Sequence, residues 1–428
     1  MSFRAQASHL VAAGLLSTAA LAANGYEDPP TLRASELLPP ELLRGPHHLV
    51  AEDVRNDGFW NHYRIQSNFG RFWAHGAFQL RVRLREVEAI AQLRQMSGRE
   101  VTTDAAVDSL KSIGDGLETV VRNPEETLEG VGDGVKRLFK RSKRDAKRAK
   151  EKATHDDEDA AGEDESTIDK IEDAAVGAGK SAVGLSAAKR RWAQSLGVDP
   201  YSRNAVLQKE LDRVAAYDAA GRVGKKLLLR ATPALSVALK VSGLVWQKDP
   251  DELITLIETR LKVMGVSDED SRALRLNEAY TLSRLTLLTT ALHDLGDVPG
   301  RADFVAQAAE ADSEEQAIYF TQSALLMFGF HEKFGPAQEL AAHVTGAALL
   351  TGEGRLVHLS PIDHVVWTQE LENYEREASS AARQHHPHAE RKLWLTGTAS
   401  ERVHMELEQR GWTIKTAVLP AANAALPQ

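Results

Sequence analysis

Cysteine is absent from the 428 residues of this chain. Without thiols there are no disulfides, thiolate zinc sites, iron–sulfur clusters or cysteine nucleophiles. An excess of positive charge is missing too: 52 Lys and Arg stand against 61 Asp and Glu, a formal net charge of -9. Nucleic acid is therefore not an expected partner, and only local basic patches could meet a polyanion. No apolar run reaches the roughly 20 residues that a helix needs to span a bilayer. The longest internal candidate, Leu227 to Trp246, contains Arg230, Pro233 and Lys240, each costly at mid-bilayer, and reads as a buried helix. What remains, 43% hydrophobic and 26% charged residues, fits a soluble globular protein long enough for about two or three domains.

At the N-terminus Arg4 precedes a mainly apolar run from Leu10 to Ala22, closing in Ala20-Leu21-Ala22. A run of about 13 residues with small residues at its end is a signal-peptide pattern. It predicts cleavage after Ala22 and a periplasmic or secreted mature chain. Glu27-Asp-Pro-Pro30 and Leu38-Pro-Pro-Glu41 then form a proline-rich arm that cannot continue a helix. Between Phe59 and Phe78 seven aromatics fall within 20 residues, flanked by turn signals at Asn56-Asp-Gly58 and Asn68-Phe-Gly70. That pattern predicts short strands in a hairpin. From Leu80 both periods fit, and we read a strand passing into a helix near Leu84.

An internal repeat follows. Leu110-Lys-Ser-Ile-Gly-Asp-Gly-Leu117 recurs as Leu128-Glu-Gly-Val-Gly-Asp-Gly-Val135, an offset equal to about five helical turns, so both copies point the same way. Asn123-Pro124 between them carries helix-start chemistry, which allows two helices or one kinked helix. Ten basic residues then fall between Lys136 and Lys152, and ten acids between Asp156 and Asp173. Opposite charge blocks with almost no large apolar residues cannot bury a core and read as a linker.

Downstream the periodicity is helical, with starts at Asp249-Pro-Asp-Glu252, Ser267-Asp-Glu-Asp270 and Ser313-Glu-Glu, and stops at Gly265, Gly296 and Gly329. Near the C-terminus the sequence predicts a hairpin over 347–359, a helix from Pro361 to about Arg383 and a strand at 392–395. A helix over 400–409 and a strand at 412–415 complete a crossover unit. The fold class expected is therefore predominantly α-helical and multidomain, with a small aromatic-rich β module near the N-terminus and a small α/β module at the C-terminus. The expected divisions are 1–22 signal peptide, 23–100 arm and aromatic module, 101–152 Gly-rich amphipathic helices with a basic extension, 153–175 acidic linker, 176–345 helical array and 346–428 α/β module.

Several residue groups could carry chemistry. His385-His386-Pro387-His388 offers imidazoles to a metal, and His47-His48 with His62 and His75 forms a looser histidine set. Trp60, Tyr63 and Trp73 could form a stacking platform for a ligand, with Arg71, Arg81, Arg83 and Arg85 as anion contacts. Gly177-Ala-Gly-Lys-Ser181 lacks the first glycine and the preceding strand of a phosphate loop. Gly184-Leu-Ser186-Ala-Ala188 lacks the second glycine of a nucleophile elbow. His293-Asp294 resembles the paired metal ligands of the HD phosphohydrolase family, whose helical domains add a further His upstream and a further Asp downstream. The resemblance covers those two residues, and no histidine lies between His155 and His293.

The amphipathic pair and its basic extension weigh most. An apolar face followed by Lys136, Arg137, Phe139, Lys140, Arg141, Lys143 and Arg144 suits an anionic membrane surface. The same face could pack against the protein's own helices or meet an envelope protein. The sequence thus points to an exported, non-catalytic cell-envelope protein that acts through protein or membrane-surface interactions. The alternative is an envelope hydrolase or metal-dependent enzyme built on His293, Asp294, His331, His343 or Asp363-His364. No motif specifies a cofactor.

Overall fold

The computed structural model describes residues 25–98, 181–219, 243–342, 346 and 348–418. The expected signal peptide, the amphipathic helices with Lys136 to Arg144, the acidic linker, His343 and most of the Gly177-to-Ser181 motif lie outside them. Among the described residues helix accounts for 54% and strand for 19%, with two five-stranded sheets. The chain is a mixed α and β protein, which corrects the expectation of a predominantly helical one. Strands such as Thr31–Arg33 and Ala337–Leu340 have only three or four residues, too few to show a period of two. Arg355–Ser360 is buried at five consecutive positions, so it shows no alternation at all.

The N-terminal sheet contains β1 (Thr31–Arg33), β2 (His48–Val50), β3 (Asp53–Asn56), β4 (Asn61–Ser67) and β5 (Gly70–His75), all paired antiparallel. Two short helices, α1 (Ala34–Leu37) and α2 (Pro40–Leu43), lie between β1 and β2. Strand β4 alternates: Asn61, Tyr63 and Ile65 are buried, whereas Arg64 and Gln66 face solvent. Tyr63 and Ile65 pack with Val50, Val54, Ala74, Leu80 and Leu84. Helix α3 (Gly76–Gly98) begins directly after β5, eight residues before the expected point. Leu80, Leu84, Val87 and Ala91 are all buried, whereas Phe78 and Val82 are only half-buried, so the helical stripe prevails over the alternating one.

Two helices downstream of the undescribed segment, α4 (Ser181–Leu196) and α5 (Ala205–Ala219), close around the second half of α3. Their shared core holds Ala89, Ile90, Leu93, Trp192, Ala193, Leu207, Leu211 and Val214. Asn204 donates to Glu86 and Arg94 to Glu210, so α3 and α5 run parallel. Arg85 donates to the Leu196 carbonyl, and Lys189 pairs with Asp212, so α4 runs antiparallel to both.

The helices that follow are α6 (Pro250–Val263), α7 (Asp268–Arg275), α8 (Leu282–His293), α9 (Arg301–Ala309) and α10 (Glu314–Phe334). The three expected starts are present. Asp249 and Glu252 form a reciprocal capping box, and Ser267 and Ser313 accept N–H bonds from the third residue of their helices. Gly329 does not stop α10, which runs on to Phe334.

The second sheet has the order β12-β10-β8-β7-β6, built from β6 (Ala337–Leu340), β7 (Ala348–Thr351), β8 (Arg355–Ser360), β10 (Glu390–Leu395) and β12 (Trp412–Lys415). Strands β8, β10 and β12 are parallel; β6 and β7 join antiparallel. Helices α11 (Gln369–His385) and α12 (Glu401–Gln409) make the connections, and β9 (His364–Val365) pairs with β11 (Thr398–Ala399). The terminal hairpin, helix and strands therefore lie close to their expected positions, except that α11 starts eight residues after Pro361. One apolar core extends from Leu261, Leu288 and Phe304 through Met327 into Leu349, Leu359 and Leu395, and it includes Phe59 and Trp60 from the N-terminal sheet. Among the described residues no helix is long and apolar enough to cross a membrane.

The packing gives a testable contrast between two left-handed glycines. Gly296 has φ +74 with open space where a Cβ would sit, whereas a Cβ on Gly300, at φ +87, would lie 1.9 Å from the Leu340 carbonyl oxygen. Gly296→Ala should cost about 1 kcal/mol, the left-handed penalty alone. Gly300→Ala should cost more than about 3 kcal/mol, since backbone must move as well. Urea denaturation of both variants checks the ordering.

Candidate functional site

Charged and polar side chains gather in a seam where β4, β5, the start of α3, residues 199–204, α8 and the first turn of α10 meet. The β4–β5 hairpin pairs Ser67 with Gly70, and therefore His62 with His75. Cross-strand partners share a face, and the two imidazoles meet at Nδ1···Nδ1 2.8 Å. In the turn before β4, Asp57 accepts from the Phe59 and Trp60 N–H groups through Oδ1 and meets His62 Nε2 through Oδ2 at 3.0 Å. At the other end, His75 Nε2 lies 3.4 Å from Glu315 Oε1. The result is a line of four side chains, Asp57, His62, His75 and Glu315.

Burial sets the electrostatics of this line. Burial first, and His62 second, push the His75 imidazole down to about 4. Burial also raises the Glu315 carboxyl, with Glu314 beside it adding to the effect. Asp363, which follows β8, accepts from the Asn61 and Ala77 N–H groups at 3.1 Å. Its carboxyl is pushed up to about 6, mainly by burial, against the opposing effect of those two donors.

Glu314 behaves in the opposite way. Arg284 lies 2.6 Å from its carboxylate, Arg203 3.8 Å and Arg83 4.0 Å. Burial opposes ionisation there, but the three guanidinium groups outweigh it and hold Glu314 below the usual carboxylate range. Next to them the buried Glu86 accepts from Arg83, Ser202 and Asn204. Asp199 accepts from Ser283 and the Tyr201 N–H, and burial raises its carboxyl. Among the described residues no group of three or more His, Asp or Glu side chains could hold a metal ion.

The sequence candidates fall elsewhere or take other parts. Trp60 and Tyr63 are 2% and 1% exposed, and the Trp60 indole donates to the Pro361 carbonyl at 2.8 Å. They are core residues, which corrects their reading as a ligand platform; Trp73 is half-buried on β5. His385 and His388 are exposed at the end of α11 and in the turn after it, while His386 lies 3.7 Å from Glu339. They do not converge on a metal-binding group. His47 stacks near Phe69 and His48 faces the Leu42 carbonyl, at the end of β4 opposite to His62. His293 and Asp294 bond each other on the surface, His331 accepts from the Ala337 N–H, and His364 meets Thr398. The structure does not bring these into one cleft with Asp363.

The His62–His75 pair was within reach of the sequence. A two-residue turn at Asn68-Phe69 makes the paired positions add to a constant, which sets 62 opposite 75. Glu315 had no such signal. No known protein family, curated protein or solved structure matches this chain.

Glu314→Gln removes the charge that three arginines share and should destabilise the protein by about 2 kcal/mol near pH 7, the scale of a charge-assisted hydrogen bond. Because the Glu314 pKa is lowered in the folded state, the wild-type advantage is complete above the ordinary glutamate range and is lost as pH falls through the folded value. Urea midpoints of both proteins between pH 7 and pH 3 check the size and the sign.

Proposed function

We propose that the protein is exported to the cell envelope and acts there without catalysis, by attaching through residues 105–152 to an anionic membrane surface. The observation that supports this reading is the arrangement of α3, α4 and α5. Since α3 and α5 are parallel and α4 is antiparallel to both, the last turn of α3, the first turn of α4 and the last turn of α5 lie at one end. The opposite end carries Arg85, Glu86, Leu196 and Ser202 and joins the polar seam. Residues 98, 181 and 219, which border 99–180 and the start of 220–242, therefore lie at the same end of the three-helix unit.

Each departing segment carries a cluster of basic residues. The first carries Lys136, Arg137, Lys140, Arg141, Lys143 and Arg144 around Phe139. Residues 220–242 hold Arg222, Lys225, Lys226, Arg230 and Lys240 and no acid. Basic residues close to an anionic bilayer contribute about 1 kcal/mol each. Two such segments leaving one end would add their contributions on one surface. The enzymatic alternative draws no support from the dispersed histidines.

The test is cosedimentation of the mature chain with neutral and anionic vesicles at low and high salt. Binding should be confined to anionic vesicles and fall at high salt as the Debye length shortens. Reversing Lys136, Arg137, Lys140 and Arg141 to glutamate should weaken it at least tenfold with no change in thermal stability. Equal binding to neutral vesicles, or none to either, would dismiss the reading.

A further inference from the structure

We propose that the solvent-facing side of the N-terminal sheet is a docking surface for a linear, carboxylate-bearing polysaccharide, held by Arg55, Arg64 and Arg71. The placement of these residues follows from strand register. Arg55 on β3 pairs with His62 on β4, and Arg64 stands two residues beyond His62 on the same strand. Trp73 on β5 pairs with Arg64, and Arg71 pairs with Gln66, two residues further along again. Alternate residues of a strand and their cross-strand partners share one face. The three arginines therefore lie on one diagonal that crosses β3, β4 and β5. Diagonal neighbours are about 7–8 Å apart, so the stripe measures about 15 Å from end to end.

The stripe is open and its charge is not met. All three arginines are exposed, whereas Tyr63, Ile65 and Ala74, on the intervening positions, are buried in the core. A further arginine on this face, Arg33 on β1, has Glu52 at 3.0 Å and Asp53 as its register partner. Among the described residues no carboxylate lies within ion-pair distance of Arg55, Arg64 or Arg71. Asp57, at the edge of the same face, is turned toward His62. A chain with a net charge of -9 thus sets three uncompensated positive charges on one diagonal. Their mutual repulsion is unfavourable, and a multivalent anion relieves it.

The chemistry of the surface selects the anion. Each guanidinium presents a planar fork that takes a carboxylate through two parallel N–H bonds, which an ammonium cannot do. Evenly spaced forks on a sheet fit a chain whose charges repeat, because engaging one fork brings the next charge to high effective concentration. Gln66, between Arg64 and Arg71, carries an amide that can both donate to and accept from sugar hydroxyls. Single-stranded nucleic acid would need exposed aromatic rings for its bases. Trp73 is the one Trp, Tyr or Phe that these strands present on this face, and it is half-buried. A bilayer would need apolar side chains to take up, and no large one is exposed on these strands. The surface is separate from residues 105–152 and does not rest on the membrane reading.

The test is isothermal titration of the full chain with polygalacturonate, and in parallel with neutral dextran, a single-stranded oligonucleotide and anionic vesicles. Lys136, Arg137, Lys140 and Arg141 would attract any polyanion, so the parent for all variants is the chain with those four reversed to glutamate. Substituting Arg55→Gln, Arg64→Gln and Arg71→Gln together should weaken polygalacturonate binding at least about tenfold. It should also reduce the slope of log K against log salt by about two, the scale of three lost ionic contacts. A matched triple of exposed arginines elsewhere, Arg272→Gln, Arg376→Gln and Arg383→Gln, should change the affinity less than about twofold. Lysine at all three stripe positions keeps the charge and removes the forks, and should still lose about threefold or more. Dextran should not bind. Equal losses in the two glutamine triples, or no polygalacturonate binding by the parent, would overturn the proposal. Tighter binding of the oligonucleotide or the vesicles through the same three arginines would overturn it as well.

Discussion

Insertion of the Phe59–Trp60 turn into the C-terminal module is the contact on which the rest of the architecture depends. Trp60 is among the largest fully buried side chains, and its indole bonds a carbonyl 301 residues further along the chain. The Phe59 carbonyl accepts from the Asp363 and His364 N–H groups, and Asn61 bonds Asp363 in turn. Burying two aromatic side chains contributes several kcal/mol at about 25 cal/mol per Å². The backbone bonds around them give that burial a unique register. With the turn seated, β4 and β5 are held over the first turn of α10, and every group of the seam acquires its neighbour.

A seam of this kind carries a cost that an apolar joint would not. Taking carboxylates and guanidinium groups from water is unfavourable by several kcal/mol each, and pairing returns that only where geometry is good. The structure answers in two ways. Glu314 keeps its charge beside three arginines, and Glu86 is met by Arg83 and by amide and hydroxyl donors. Glu315 and Asp363 pair with no arginine among the described residues and are driven toward the neutral form. Adjacent glutamates on one helix turn thus have opposite tendencies, set by which neighbour each one meets.

The remaining helices divide by packing and not by order along the chain. Helices α4 and α5 belong with the end of α3, whereas α6 to α10 share the core of the C-terminal sheet. The first group meets the seam at one end, where Arg85, Glu86, Leu196 and Ser202 lie. Glu86 joins α3 and α5 directly to the arginines around Glu314.

Local chemistry was legible wherever a short stretch settles its own structure. The caps at Asp249, Ser267 and Ser313, the Asn68-Phe69 turn, the 347–359 hairpin and the strand at 412–415 all depend on residues within a few positions of each other. The mixed fold was not legible, because a three-residue strand such as Thr31–Arg33 exists only through its partner. Nor was the burial of Trp60, since an aromatic cluster reads alike as a platform or a core until another element covers it. Composition, charge segregation and capping were determined by the sequence alone, as each is a property of neighbours along the chain. The four-residue line at the seam was decided by tertiary structure, because His75 and Glu315 meet only after two distant segments have packed and the water between them has been expelled.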